Sequence, residues 1–594
     1  MTGTQEGLEA FLSREGYQHH DEETMLESAQ SGCPVCQLLL PFRPRPEYYR
    51  RDGPQGPISY RVSADVDRQH PGCDFYIRSV RLNGHQGDTM QIKAFTTHED
   101  PAASFLDVLP LSVPVTGSGV ENLVKAKLES CLSSHTKCPR QGQPPLLPTR
   151  VIDVGSGSQP PSLRLRLSSP GQRAPYLALS YCWGGPQQLT TTTTTLAANL
   201  NALPGNQLPR TIEDAVTVTR RLGFRYLWVD ALCIIQDDEA DKLAEIGAMG
   251  GVYKNATLTM AAADSPSVKH GFLEDRPVTG SCFVPLLLPN GKLGKIWLRA
   301  TEADSLKGFA LDSRAWTLQE SLLSPRLLSY TPKDLIWKCQ MDRSESIAPT
   351  HAFYIEASLG VPYRLPTSVF GVPHPSEEPK YTPQSIWMSI LLDYTKRALS
   401  FPEDRLLALS GIASELQIAW GDIYLAGVWQ SCLVQQLCWY RLEDECGQPL
   451  NAPRNFPSWS WASFHGPLHT TDLHEEDAKF LEASTELVDK NSPFGNVHGG
   501  QVVLDARFFS KDAVEASNLA FNMDIGPDGV RTMDEKSKIV FLGWDDEESV
   551  EKDGSGLILS PAGNGCYRRI GHFSAWDCCW EQALGHERHI IKII

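Results

Sequence analysis

No stretch of this sequence approaches the roughly 18 apolar residues that a membrane-spanning helix requires. The opening Met1-Thr-Gly-Thr-Gln-Glu-Gly has neither the basic start nor the apolar core of a secretory signal. Both absences predict a soluble chain in the cytoplasm, with no membrane span. Cations are also in deficit: 54 Lys and Arg face 71 Asp and Glu, a net charge of -17. Affinity for phosphate backbones and anionic lipid draws on clustered cations, so nucleic acid is not expected as a partner. Arg164, Arg166 and Arg173 could make a local basic face or simply line a solvated strand. P-loop, complete dinucleotide fingerprint and His-Glu-x-x-His zinc motif are all missing, which removes the most recognisable nucleotide and metalloprotease chemistries.

What is present is ordinary globular composition, 41% hydrophobic and 21% charged over 594 residues, enough for two to four units with their own cores. The 15 cysteines are odd in number and widely spread. In a reducing compartment they read as free thiols, most of them buried small hydrophobes, rather than a disulfide framework.

Composition and periodicity divide the chain into four parts. Residues 1–150 form an N-terminal region with Cys and His motifs, where Gln37–Leu40 reads as a helix end and Phe75–Val80 as a strand. Residues 151–345 hold an α/β core. Within it Tyr176–Ser180 reads as a strand, then a helix from Thr211 to Gly223 with Ile212, Ala215, Val216, Thr219 and Leu222 on one face. A strand Tyr226–Asp230, a helix Glu239–Tyr253 and a strand Ala256–Ala262 follow, the alternation of a parallel sheet with covering helices. Thr211 and Asp214 have the spacing of a capping box. Gly250 and Gly251 blur the end of the second helix. Further on, Ala315–Leu323 reads as a helix and Arg326–Tyr330 as a strand. Residues 346–465 read as mainly helical and 466–594 as β-rich, with strands from about Val502 after an acidic loop near 470–480.

In an open parallel sheet, ligands bind beyond the carboxyl ends of the strands. That edge receives Ser180, Tyr181 and Trp183 from the first strand and Asp230, Cys233 and Gln236 from the second. Asp230 serves either to bind a ligand or to cap a loop. Glu245, mid-helix, reads as a general base or ribose acceptor, or as a plain solvent-facing residue. Arg314, Trp316, Gln319, Glu320 and Arg326 form a dense polar cluster, either a buried Arg–Glu lock or an anion site using Arg314. Cys182 and Cys233 lie on loops that contain no histidine to activate a thiol, so packing explains them better than nucleophilic catalysis. Cys33-x2-Cys36 and Cys131-x3-His135-x2-Cys138 together offer at most four ligands for a structural zinc, provided folding joins the halves.

Several blocks recur in one known family. Leu179-Ser-Tyr-Cys-Trp-Gly-Gly, Leu208-Pro-Arg-Thr-Ile-Glu-Asp-Ala, Tyr226-Leu-Trp-Val-Asp-Ala-Leu-Cys-Ile-Ile-Gln-Asp-Asp, Met249-x2-Val-Tyr-x-Asn-Ala and Arg314-Ala-Trp-Thr-Leu-Gln-Glu resemble, in order, the signature blocks of the heterokaryon-incompatibility (HET) domain. The flanking Asp404-Arg-Leu, Pro457-Ser-Trp-Ser-Trp and Tyr567-Arg-Arg-Ile-Gly segments resemble full-length members. Lys242 and Gly251 depart from the pattern. The resemblance implies a fungal effector of non-self recognition that promotes growth arrest or programmed cell death, acting through a protein partner or self-association. It further implies a distantly TIR-like core. By that analogy NAD would be a substrate, Glu245 and Asp230 catalytic, and Ser180, Tyr181, Trp183, Gln236 and Arg314 the surrounding pocket.

Overall fold

The computed structural model describes residues 4–12, 17–39, 58–67, 72–81, 86–97, 99–104, 112–113, 115–140, 142–155, 163–277, 281–288, 291–300, 309–332, 335–341, 345–346, 364–372, 382–441, 456–464, 466–510, 512, 518–526, 529–545, 553–576 and 580–594. Leu40 and the stretches 347–363, 373–381 and 442–455 of the expected helical region lie outside them.

The central sheet has eight strands: β1 (Arg150–Asp153), β2 (Arg164–Leu167), β3 (Tyr176–Ser180), β4 (Tyr226–Trp228), β5 (Leu258–Ala261), β6 (Arg326–Tyr330), β7 (Leu335–Cys339) and β8 (Glu345–Ser346). Their spatial order is β8-β7-β6-β5-β3-β4-β1-β2. The four middle strands β6, β5, β3 and β4 are parallel. Antiparallel pairs flank them on both sides, so the sheet is mixed rather than purely parallel. Every residue of β3, β5 and β6 is buried, as unbroken apolar runs such as Tyr-Leu-Ala-Leu require when helices cover both faces.

Five helices matter for the site: α1 (Ser118–Ser133), α2 (Arg210–Leu222), α3 (Glu239–Asn255), α4 (Ala315–Leu323) and α5 (Leu407–Trp420). α1 packs on α2, whereas α3, α4 and α5 pack on one another. The expected α2 face is buried, and Gly223, left-handed at φ 88°, ends the helix. The capping box does not form. The cap position is Pro209. Thr211 Oγ1 instead accepts from the Gly271 N–H (3.1 Å), and Asp214 accepts from Phe272 (2.6 Å) and Leu273 (3.1 Å), tying the 271–273 loop to the helix. α3 runs through both glycines to Asn255.

The chain leaves β3 through α2 toward β4, then crosses back through α3 to β5 on the other side of β3. The connections therefore diverge at the adjacent carboxyl ends of β3 and β5, the place where an open α/β sheet forms its ligand crevice.

An antiparallel sheet of Tyr17–Asp21, Ile58–Asp67, Gly72–Arg81 and Gln86–Phe95 takes two further strands, Leu293–Ala300 and Ser281–Leu287, from the connection between β5 and α4. In the β-rich C-terminal region the strands begin before Val502: Glu475–Glu476 lies within the expected acidic loop and Lys479–Leu487 follows directly after it. There Val497–Phe509 pairs with both Leu584–Ile593 and Lys538–Trp544, closing a ring of five strands. Among the described residues no helix is long and apolar enough to cross a membrane.

Candidate functional site

At the divergence of β3 and β5, Ser180 ends β3 and its carbonyl accepts the Ala262 N–H (3.0 Å) just past β5. The chain then passes Tyr181, Cys182 and Trp183 and turns at Gly184, φ 69°. A side chain there would meet the Ser267 Cβ at 2.0 Å, so only glycine lets this loop lie against residues 266–267.

Asp230 opens a short helix, Asp230–Cys233, rather than ending a strand. Its carboxylate accepts from the Trp183 indole N–H (2.8 Å) and the Ala231 N–H (2.7 Å). Burial raises its pKa against these donors and the nearby Tyr181 and Arg314. Arg314, half-buried at the start of α4, donates to the Tyr181 carbonyl (3.2 Å).

Glu320 lies behind this pair on α4, only 8% exposed. Its neighbours are Ser180, Tyr253, Asp230 and Arg314, and Tyr253 also donates to the Leu179 carbonyl (3.1 Å). Burial, reinforced by the Asp230 charge, pushes Glu320 from the usual 4.5 up to about 7. The folded protein therefore holds this proton where the unfolded chain has lost it. Stability contributed by Glu320 is full below pH 4.5 and is lost as pH rises to about 7, a loss of up to roughly 3 kcal/mol. Glu320→Gln is expected to flatten that part of a stability-versus-pH curve measured by urea denaturation. An unchanged slope would place the titration on another group.

The other candidates have structural partners. Glu245 is buried, not solvent-facing, and meets Arg150 Nη2 at 3.4 Å. Arg150 also binds Asp241 (2.5 Å) and the Cys233 carbonyl (2.5 Å), which ties β1 to the start of α3 and to the end of the Asp230–Cys233 helix. The Gln236 amide donates to the Asp230 (3.2 Å) and Ile234 (3.1 Å) carbonyls, bracing the loop. Cys233 is buried and its thiol is pushed up to about 12, which disfavours a nucleophile. Cys182 is buried beside Arg314, and burial raises it as well.

The dense cluster predicted between Arg314 and Arg326 is not one network. Arg314 and Glu320 face the crevice, while Gln319 accepts from the Gly411 N–H of α5 (2.7 Å). Trp316 bonds Asp404. Arg326 points to the opposite, amino edge of the sheet, donating to Cys131 Sγ (3.2 Å) and the Pro139 carbonyl. There Cys131, His135 and Cys138 meet Cys339, the last residue of β7, with all four donor atoms within 4.8 Å of one another. Cys33 and Cys36 are not in this group; they bond each other and lie beside Cys282. Sequence reasoning missed Cys339 because no local spacing marks it, and missed the special environment of Glu320 because its partners come from three other segments.

Residues 176–320 match the family model described as heterokaryon incompatibility protein (HET). This segment is a HET domain. The HET segment runs from the first residue of β3 to Glu320 and so contains every residue of the crevice described above. It relates the chain to heterokaryon incompatibility. No curated protein and no solved structure matches the chain.

Proposed function

We propose that this protein is an effector of fungal non-self recognition, whose HET domain brings on growth arrest or programmed cell death through a protein partner or self-association. The observation that carries this reading is the HET match over residues 176–320. The net charge of -17 favours a protein partner over nucleic acid. Forced expression in a fungal host is expected to arrest growth, and Arg314→Ala, which removes a cation from the mouth of the crevice, to relieve the arrest at equal protein level. Wild-type protein that accumulates with no growth defect would remove this reading.

The crevice favours one second reading, hydrolysis of NAD or a related nucleotide, in keeping with the TIR analogy. Water would add to the ribose carbon as the bond to nicotinamide breaks, the leaving base keeping the bonding pair. Asp230, half-buried at the mouth, would take the water's proton, with Glu320 as a proton store behind it and Arg314 facing the diphosphate. Ser180, Tyr181 and Trp183 would line the pocket. Glu245, the position the TIR analogy selects, already has Arg150 as its partner, so we assign the acid–base role to Glu320 and Asp230 instead. Purified full chain should then consume NAD, with Asp230→Asn and Glu320→Gln inactive and Glu245→Ala largely active. Loss confined to Glu245→Ala would return the role to that residue, and intact NAD with folded wild type would remove the enzymatic reading.

A further inference from the structure

We propose that Cys131, His135, Cys138 and Cys339 form a structural zinc centre at the amino edge of the central sheet, opposite the crevice. Zinc bound tetrahedrally by three thiolates and one imidazole has Zn–S near 2.3 Å and Zn–N near 2.0–2.1 Å, which sets neighbouring S···N separations at about 3.5 Å. His135 Nδ1 lies 3.4 Å from Cys339 Sγ and 3.7 Å from Cys138 Sγ. The full donor set spans no more than 4.8 Å. Packing alone rarely brings three thiols and an imidazole nitrogen so close around one point, and the donor chemistry is that of closed structural zinc sites.

The surroundings suit the charge of such a centre. Three thiolates around a divalent ion leave one net negative charge. Arg326, 3% exposed, places its Nε–H 3.2 Å from Cys131 Sγ. The backbone N–H groups of Gln340 and Met341 bond the Cys138 sulfur. These are the outer contacts that orient and neutralise metal-bound thiolates. Cys131, Cys138 and Cys339 are all buried and form no disulfide.

The three anchoring segments explain what the centre would do. Cys131 is in the last turn of α1, His135 and Cys138 follow in the next loop, and Cys339 ends β7 on the far side of the HET domain in sequence. A metal here would clamp the segment preceding the HET domain to the antiparallel strand that follows it. It would thereby set the amino edge of the sheet without touching the residues proposed for function.

The test is metal analysis of the full chain purified without chelator from zinc-supplemented cells, with cobalt substitution as a second probe. About one zinc per chain is expected, and the cobalt form should show the intense absorption of tetrahedral thiolate coordination. Cys339→Ser should lose the metal and melt at lower temperature, while the Cys33→Ser/Cys36→Ser double variant keeps it. The cobalt spectrum of the wild type needs no variant to fold. Wild-type protein that carries no zinc and takes up no cobalt, or that loses the metal only in the Cys33/Cys36 variant, would overturn the assignment. A disulfide among these cysteines in freshly purified protein, detected by mass after thiol blocking, would overturn it as well.

Discussion

Arg569→Ala is expected to destabilise the full chain by about 3–5 kcal/mol, because it removes one partner from a buried ion pair and leaves the other charge unpaired. Arg569 is fully buried within the β-rich C-terminal region. Its Nε meets Asp524 at 3.1 Å, Nη1 donates to the Leu437 carbonyl at 2.7 Å, and Nη2 donates to the Trp439 carbonyl. The guanidinium carbon lies 3.2 Å from the centre of the Trp439 ring, and the Arg569 backbone N–H donates to Ser458 Oγ (2.9 Å). One residue of the C-terminal strands therefore satisfies the backbone of the Leu437–Trp439 segment and anchors the Ser458–Trp461 block. Lysine cannot replace it, since a single ammonium lacks the planar fork that reaches both carbonyls and the carboxylate. Arg588→Ala provides the contrast: its guanidinium is 30% exposed and pairs with Asp505 at 3.0 Å, so its loss is expected to cost less than about 1 kcal/mol. Equal effects in urea denaturation would mean that burial is not what makes the Arg569 interactions strong.

Gly411→Val is expected to prevent the HET domain from reaching its packed state, at a cost of at least about 3 kcal/mol. α3 and α5 approach so closely that a Cβ on Gly411 would lie 2.8 Å from the Gly250 Cα and 2.7 Å from Gln319 Oε1. The reciprocal Cβ on Gly250 would meet the Gly411 Cα at 2.8 Å. The Gly250 backbone cannot swing aside as the Gln319 side chain could, and moving Gln319 would displace its hydrogen bond from the Gly411 N–H. Gly247→Ala, on the same α3 but with nothing within 4 Å of its added Cβ, is expected to do the opposite. It should stabilise by up to about 1 kcal/mol through helix propensity. Thermal melts of the two variants beside wild type check the signs. A benign Gly411→Val would mean that the α3–α5 approach is looser than described.

These glycines also mark where local reading stopped working. In the sequence, Gly250 and Gly251 weaken a helix; in the fold, Gly250 is the contact that admits α5. Likewise Thr211 and Asp214 carry the spacing of a helix cap, yet their oxygens serve a loop some 60 residues away. Glu245 has the spacing of an ordinary helix residue and is buried against Arg150. In each case a side chain able to serve its own helix is taken by a partner distant in sequence, because a buried donor or charge left unpaired costs more than a cap contributes.

The amino-acid sequence by itself determined the alternation of strands and helices between Tyr176 and Tyr330, the apolar face of α2, and the HET blocks. Those features rest on short-range periodicity and on turn residues that act within a few positions. Tertiary structure alone decided that antiparallel strands flank the parallel ones and that strands from residues 281–300 join the N-terminal sheet. It also decided that Glu320, not only Asp230, is a perturbed carboxyl at the crevice, and that Cys339 rather than the Cys33–Cys36 pair completes the donor set with Cys131, His135 and Cys138. Charge burial and ligand geometry depend on which distant segments meet, and no local pattern records that meeting.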